Sequence, residues 1–308
     1  MGVEGEQLSA MAQIKFVVAL VPLLALLAGC AGLDGVSAPS FLSETPTGAV
    51  WIPAKIRKPE GPGPFPAIVM VHDCSGLGPR SSGAPSRWAR LLVAQGYVVL
   101  IPDSFTPRGF PEGVCTNSRA QAAGPAVRAS DALGAAAYLR SLPEVDGARI
   151  GLMGGSHGGS TTLAALVRPR AGFAAAVALY PGCGAPYGAW SVRRQAGSRG
   201  PITGYAGVYA PGAPLLILIG EQDDWTPAEP CQRLADAARQ QGYPVEIKVY
   251  PDAHHSFDNS SPVRYVKERN NANAPDGRGA TTGGNPAAWE DAEKQVTAFF
   301  ATHLKASW

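Results

Sequence analysis

Short apolar runs separated by longer stretches of helical period constrain this chain more than any other feature. Buried-strand candidates fall at Ala67 to Val71, Tyr97 to Ile101, Ile150 to Met153, Ala174 to Leu179, Leu215 to Ile219 and Val245 to Tyr250. An earlier edge strand is expected at Ala49 to Ile56. Apart from Val245 to Tyr250, which carries Glu246 and Lys248, the six buried-strand runs are apolar throughout, which is the pattern of strands covered on both faces. Helical stretches lie near Ser86 to Gln95, Gln121 to Leu139, His157 to Val167 and Ala228 to Gln241. In the last helix Asn285 can cap and Pro286 suits the first position, with Trp289, Ala292, Val296, Phe299 and Phe300 on one face, read as a packing face. Strands alternating with helices imply an α/β fold with a doubly wound, mostly parallel sheet.

One strand-to-helix junction carries chemistry. Met153-Gly154-Gly155-Ser156-His157-Gly158-Gly159 places a G-x-S-x-G between an apolar strand and an Ala/Leu-rich helix. That context is the one in which such a motif forms a nucleophile elbow, with the serine on a tight, strained turn. A serine hydroxyl is a weak nucleophile until a base takes its proton, so a histidine held by a carboxylate is required further along. Two later loops supply both groups. Gly220-Glu221-Gln222-Asp223-Asp224-Trp225 follows one strand, and Tyr250-Pro251-Asp252-Ala253-His254-His255 follows the next. Each partner has an adjacent twin: Asp223 is preferred over Asp224, a turn or cap residue, and His255 over His254. An oxyanion hole needs a second N–H from the loop after an early strand. Val71-His72-Asp73-Cys74-Ser75-Gly76 is that loop, so the backbone N–H groups of Cys74 and His157 are the expected donors. Asp73 would position the loop and His72 would be structural.

Composition narrows the partners. The chain has 308 residues, 45% hydrophobic and 16% charged, enough apolar content for a substantial core. A formal net charge of only +2, without basic runs, gives no electrostatic footprint for nucleic acid. At the N-terminus Lys15 leads into an apolar stretch from Phe16 to Ala28 that is short for a membrane span. Residues 1–29 therefore read as a secretory signal peptide, with Met11 as an alternative start. Its end, Leu27-Ala28-Gly29-Cys30, resembles a bacterial lipobox and makes Cys30 the expected lipidation site. The mature chain would be an exported lipoprotein of the periplasm or cell envelope. Residues 30–47 read as a linker and 48–308 as one catalytic domain. Cys74, Cys115, Cys183 and Cys231 remain in a compartment that permits disulfides, and spacing alone leaves three pairings open. None has the spacing of a zinc site, and no metal is expected.

These residues together resemble the dienelactone hydrolase family of the α/β hydrolases, from about Ala49 to Leu304. The resemblance rests on His72-Asp73-Cys74-Ser75-Gly76, Gly154-Gly155-Ser156-His157-Gly158-Gly159, Asp223 ahead of Pro227, and Tyr250-Pro251 leading to His255-Ser256-Phe257. The enzyme that names the family uses a cysteine where this chain has Ser156. The resemblance implies an α/β-hydrolase fold whose strand order pairs Cys74 with Cys115 and Cys183 with Cys231. It also implies cleavage of small ester or lactone substrates through an acyl-enzyme, without cofactor. A peptidase of related fold and a catalytically silent binding protein are the alternatives. Two long connections, 181–213 and 258–284, are lids or surface excursions, with the sequence favouring neither. Tyr187, Trp190, Tyr205 and Tyr209 in the first are candidates for touching substrate, and Trp225 for an apolar pocket wall.

Overall fold

The computed structural model describes residues 38–45, 48–117, 120–196 and 199–305. The expected signal peptide, Met11 and Cys30 lie outside the described residues. The apolar runs form an eight-stranded sheet. Its strands are β1 (Ser40–Thr45), β2 (Gly48–Arg57), β3 (Phe65–Val71), β4 (Val98–Pro102), β5 (Val145–Gly155) and β6 (Ala175–Leu179). After a hairpin of β7 (Ser191–Ala196) and β8 (Arg199–Ala206), β9 (Leu215–Gly220) and β10 (Val245–Tyr250) complete it. The spatial order is β1-β2-β4-β3-β5-β6-β9-β10. β1 and β2 run antiparallel, as do β2 and β4, and every later pair is parallel.

Five helices cover the sheet: α1 (Ala84–Ala94), α2 (Pro125–Arg140), α3 (His157–Leu166), α4 (Ala228–Gln240) and α5 (Pro286–Leu304). α2 and α3 pack together over the central strands, while α1 and α5 are linked by the Gln95–Thr297 hydrogen bond of 2.8 Å. With both faces covered, β4, β6 and β9 are buried along their whole length, which is why their sequences show no polar alternation. α2 starts at Pro125, because Gln121–Ala123 make a separate 3₁₀ turn and Gly124 is extended. At the other end of the fold, Asn285 Oδ1 accepts from Ala288 N at 3.1 Å and caps α5 as its sequence implies.

Three expectations are corrected. The segment read as a linker contains β1, so the outermost strand is β1 and not β2. Its inward residues are Phe41 and Ser43, and the Ser43 hydroxyl donates to Asp131 on α2 at 2.6 Å. A serine pointing inward disguises the strand's period. The long connections are also more ordered than loops: one carries β7–β8, the other the hairpin of β11 (Arg264–Asn270) and β12 (Arg278–Thr282). Trp289 on α5 is only half-buried, with the Arg87 guanidinium 5.7 Å above its ring, so it is not a pure packing residue.

The junction of β5 and α3 has the geometry of an elbow. Ser156 sits at φ 54°, a left-handed conformation costly for a residue with a Cβ. The turn is held by Ser156 N donating to Leu179 O at 2.9 Å and Ser160 N donating to Ser156 O at 2.8 Å. The first turn of α3 presses on the end of β3: a Cβ on Gly158 would stand 2.2 Å from Val71 O. Gly154 is equally confined, since a Cβ there would stand 2.5 Å from the carbonyl carbon of Gly158.

Both expected disulfides are present, Cys74–Cys115 and Cys183–Cys231. Each joins segments that follow neighbouring parallel strands, β3 with β4 and β6 with β9.

Urea denaturation tests both the close approach and the crosslink. Gly158→Ala must push backbone apart and should cost about 1–3 kcal/mol; an unchanged midpoint would refute the close approach. Replacing Cys183 and Cys231 together by alanine opens a crosslink spanning 48 residues. The chain-entropy model assigns that loss about 4 kcal/mol, readable in the same titration.

Candidate active site

The elbow and the two loops after β9 and β10 meet at the C-terminal end of the parallel strands, where open α/β sheets bind ligands. Ser156 Oγ lies 2.8 Å from His255 Nε2, and His255 Nδ1 lies 2.8 Å from Asp223 Oδ2. All three residues are buried. An Nδ1–H facing the carboxylate leaves Nε2 free to accept the Ser156 hydroxyl hydrogen, the tautomer that a general base needs.

Asp223 is fixed by its own loop. Its Oδ1 accepts from Trp225 N at 3.0 Å and Thr226 N at 2.8 Å, and the Thr226 hydroxyl stands 2.8 Å from its Oδ2. Donors that bind the ionised carboxyl hold the charge in place while it faces the histidine. The ambiguity between twins is settled by direction. Asp224 points the other way, its two oxygens accepting from Thr281 N and Thr281 Oγ1, each at 2.7 Å. Of the two histidines, His254 is half-buried, and it is His255 whose Nε2 meets Ser156.

The loop after β3 matches its expected organisation. Asp73 Oδ1 accepts from Ser75 N at 2.7 Å and from Ser75 Oγ, while Ser82 Oγ donates to Oδ2. His72 is structural: Nδ1–H donates to Asp73 O at 2.8 Å and Nε2 accepts from Ser104 N at 3.2 Å. Burial, reinforced by the Arg128 charge, holds its pKa well below the usual imidazole value and keeps it neutral. Cys74 and His157 both line a cavity of about 370 Å³ that reaches Ser156. As the first residue of α3, His157 has no intrahelical partner for its N–H.

A second cavity, of about 360 Å³, opens over Ser156 and His255. Its wall includes Arg80, Arg87, Arg264 and Arg269, together with Trp289. Trp225 borders both cavities. Its ring centroid lies 4.7 Å from that of His255, the Arg269 guanidinium lies 5.2 Å over it, and its indole N–H donates to Asn270 O at 2.7 Å. Tyr180 closes the floor, 4.8 Å from the His255 ring, and donates its hydroxyl to Asp258 Oδ1 at 2.7 Å. Burial foremost, and the Asp258 charge next, keep that phenol protonated. Trp88 Nε1 holds the other Asp258 oxygen at 2.7 Å.

The aromatic residues of the first long connection have another role. Trp190 and Tyr209 are buried in the core, and Tyr205 stacks on Trp190 while its hydroxyl binds Glu229. Of the four, Tyr187 borders open space, a neighbouring cavity of about 270 Å³ reached past Trp225 and Thr226. Lining of the cavity over Ser156 comes instead from the second connection, whose β11–β12 hairpin supplies Arg264 and Arg269. Sequence reasoning missed these arginines, and also Thr226, Asp258 and Arg128. For Arg128 a signal existed: it stands at helical spacing with Ala132, Ala135 and Leu139 on the buried face of α2.

Comparison with known proteins agrees with this geometry. A protein of Methylorubrum extorquens named "Putative carboxymethylenebutenolidase" is 29% identical over 213 residues, 67% of this chain and 68% of that one. Dipeptidyl-peptidase 5 of Porphyromonas gingivalis is 28% identical over 216 residues, 62% of this chain but 30% of that longer protein. Among solved structures, Thermogutta terrifontis esterase 2 phosphorylated by paraoxon superposes with a TM-score of 0.58 at 18% identity. That match covers 88% of this chain and 97% of the esterase and is a likeness of fold. The model of the dienelactone hydrolase family matches residues 52–304, a span that takes in Ser156, Asp223 and His255, and the chain belongs to that family.

Proposed function

We propose that this chain hydrolyses carboxylic esters or lactones through an acyl-enzyme on Ser156. The observation that carries the reading is the continuous hydrogen-bonded line from Ser156 Oγ through His255 to Asp223, buried at the junction of two cavities. As substrate binds, His255 Nε2 takes the Ser156 proton while Oγ attacks the carbonyl carbon, and the Cys74 and His157 N–H groups receive the developing oxyanion. Collapse expels the alcohol, to which the imidazolium returns the proton. Water then gives a proton to His255 as its oxygen attacks the acyl carbon, and collapse releases the acid while the imidazolium returns that proton to Ser156 Oγ. Asp223 keeps the imidazole in its productive tautomer and stabilises the imidazolium.

The reading extends to location. The Leu27-Ala28-Gly29-Cys30 sequence supports export and lipid attachment at Cys30, and two disulfides suit an oxidising compartment. Cys30→Ala should move the chain from the membrane pellet to the soluble fraction of fractionated cells. Persistence of the variant in the pellet contradicts the anchor.

Activity is tested with p-nitrophenyl esters of increasing acyl length, beside p-nitroanilides of the same acyl groups. Ester turnover that vanishes in Ser156→Ala is the expected result. Faster anilide than ester turnover identifies a peptidase, in keeping with the name of the Porphyromonas gingivalis relative. The adjacent aspartates separate cleanly: Asp223→Asn should lower kcat by about 10⁴-fold through the wrong histidine tautomer. Asp224→Asn, which faces Thr281, should leave most of the rate intact.

A further inference from the structure

Arg128 is a cation buried to zero exposure on α2, with no ion pair to a carboxylate among the described residues. Nearby carboxylates are committed elsewhere. Asp131 takes both amino groups of Arg108, at 2.7 and 2.8 Å, together with the Ser43 hydroxyl. Asp73 is held by Ser75 and Ser82, and Asp103 Oδ1 by the N–H groups of Phe105 and Thr106. Burial lowers the Arg128 pKa to about 10, with the Asp131 charge opposing that shift, so the group stays cationic at neutral pH. Placing a charge in the interior without a bonded counter-ion is costly and calls for a compensating role.

Its contacts point to that role. Nη2 donates to His72 O at 2.8 Å, on the loop that bears Cys74. Nη1 donates to His157 Nδ1 at 2.7 Å, on the residue that follows Ser156. The guanidinium lies 4.7 Å over the Phe105 ring, and Nε has no partner among the described residues. Burial first, and the Arg128 charge next, depress the His157 pKa, which keeps that ring neutral and able to accept at Nδ1. One planar fork thus spans two loops that are far apart in sequence.

We propose that Arg128 is a positioning residue that fixes the spacing of the two oxyanion donors, Cys74 N–H and His157 N–H, and holds a positive charge beneath the hole they form. This rests on the ester-hydrolase reading above. Arg128 borders neither cavity at Ser156, so it acts through the donors and not on substrate. The consequence is selective: ground-state binding is spared and the tetrahedral anion is destabilised.

The test compares wild type, Arg128→Met and Arg128→Lys in ester turnover, in inhibition by phenylboronic acid, whose serine adduct is a tetrahedral anion, and in thermal unfolding. Arg128→Met should lower kcat by between about 10- and 100-fold with KM little changed, and weaken boronate binding in proportion. Arg128→Lys, which keeps the charge but lacks the fork, should fall between the two. If Arg128→Met unfolds more readily yet matches wild-type kcat and boronate affinity per folded molecule, Arg128 is only a packing residue and the proposal is overturned. Should the methionine variant fail to fold, ¹⁵N NMR of wild type decides. The Arg128 guanidinium and His157 imidazole resonances should move on saturation with phenylboronic acid, and unmoved resonances overturn the proposal. Absence of wild-type turnover would overturn the hydrolase reading instead, a separate outcome.

Discussion

The first turn of α3 stands against the end of β3 with only hydrogen atoms between Gly158 and the Val71 carbonyl. That approach fixes the helix N-terminus beside the loop bearing Cys74. The left-handed backbone at Ser156 is the local cost, offset by the Leu179 and Ser160 hydrogen bonds on either side. Ser156, the His157 N–H and the loop bearing Cys74 are therefore brought together by one close contact between a strand and a helix. His255 reaches the same point from β10, four strands along the order from β3, because a parallel sheet gathers its C-terminal loops at one edge.

Charges at the site are handled in two different ways. Asp223 is buried, yet two backbone N–H groups and a hydroxyl surround it, so the carboxylate is solvated by its own loop before it meets His255. Arg128 has only a carbonyl, a ring nitrogen and an aromatic face among the described residues. The first arrangement is inexpensive because a turn supplies its donors; the second depends on tertiary contacts alone. That difference explains why the aspartate stood out in a strand-end motif, while the arginine left only its helical spacing on the buried face of α2 as a signal.

Much of the frame was legible in the sequence because burial on both faces leaves strands such as Leu215–Gly220 uniformly apolar, and because the elbow demands its glycines. The triad was legible as a strand-end pattern, and both disulfide pairings followed once family resemblance supplied the order of strands. What escaped was structure whose polar residues are satisfied by tertiary partners. Ser43 of β1 looks like a linker residue until Asp131 is placed opposite it. The β7–β8 and β11–β12 hairpins carry many polar and charged residues, so neither alternation nor apolar content announced them. The aromatic residues of the first long connection misled in the opposite direction, since Trp190 and Tyr209 pack into the core, while Trp225 and Trp289 line the cleft beside the arginines.

The β11–β12 hairpin shows how a long excursion can shape a cleft without loosening its catalytic line. Asp224 receives Thr281 through two hydrogen bonds, Asn271 Nδ2 donates to Asp224 O at 3.0 Å, and Asn273 Nδ2 donates to Trp225 O at 2.9 Å. Gly283 N donates to His255 O at 3.1 Å, so the excursion is tied to the loops bearing both Asp223 and His255. Closing a long loop costs little more than closing a short one, so such an insertion is inexpensive once its ends are anchored. Between those ties, Arg264 and Arg269 on β11 line the cavity wall. The sheet thereby places Ser156, Asp223 and His255 and the hairpin lines the cavity over them, with Asp224, the twin that faces away from His255, as the bolt between them.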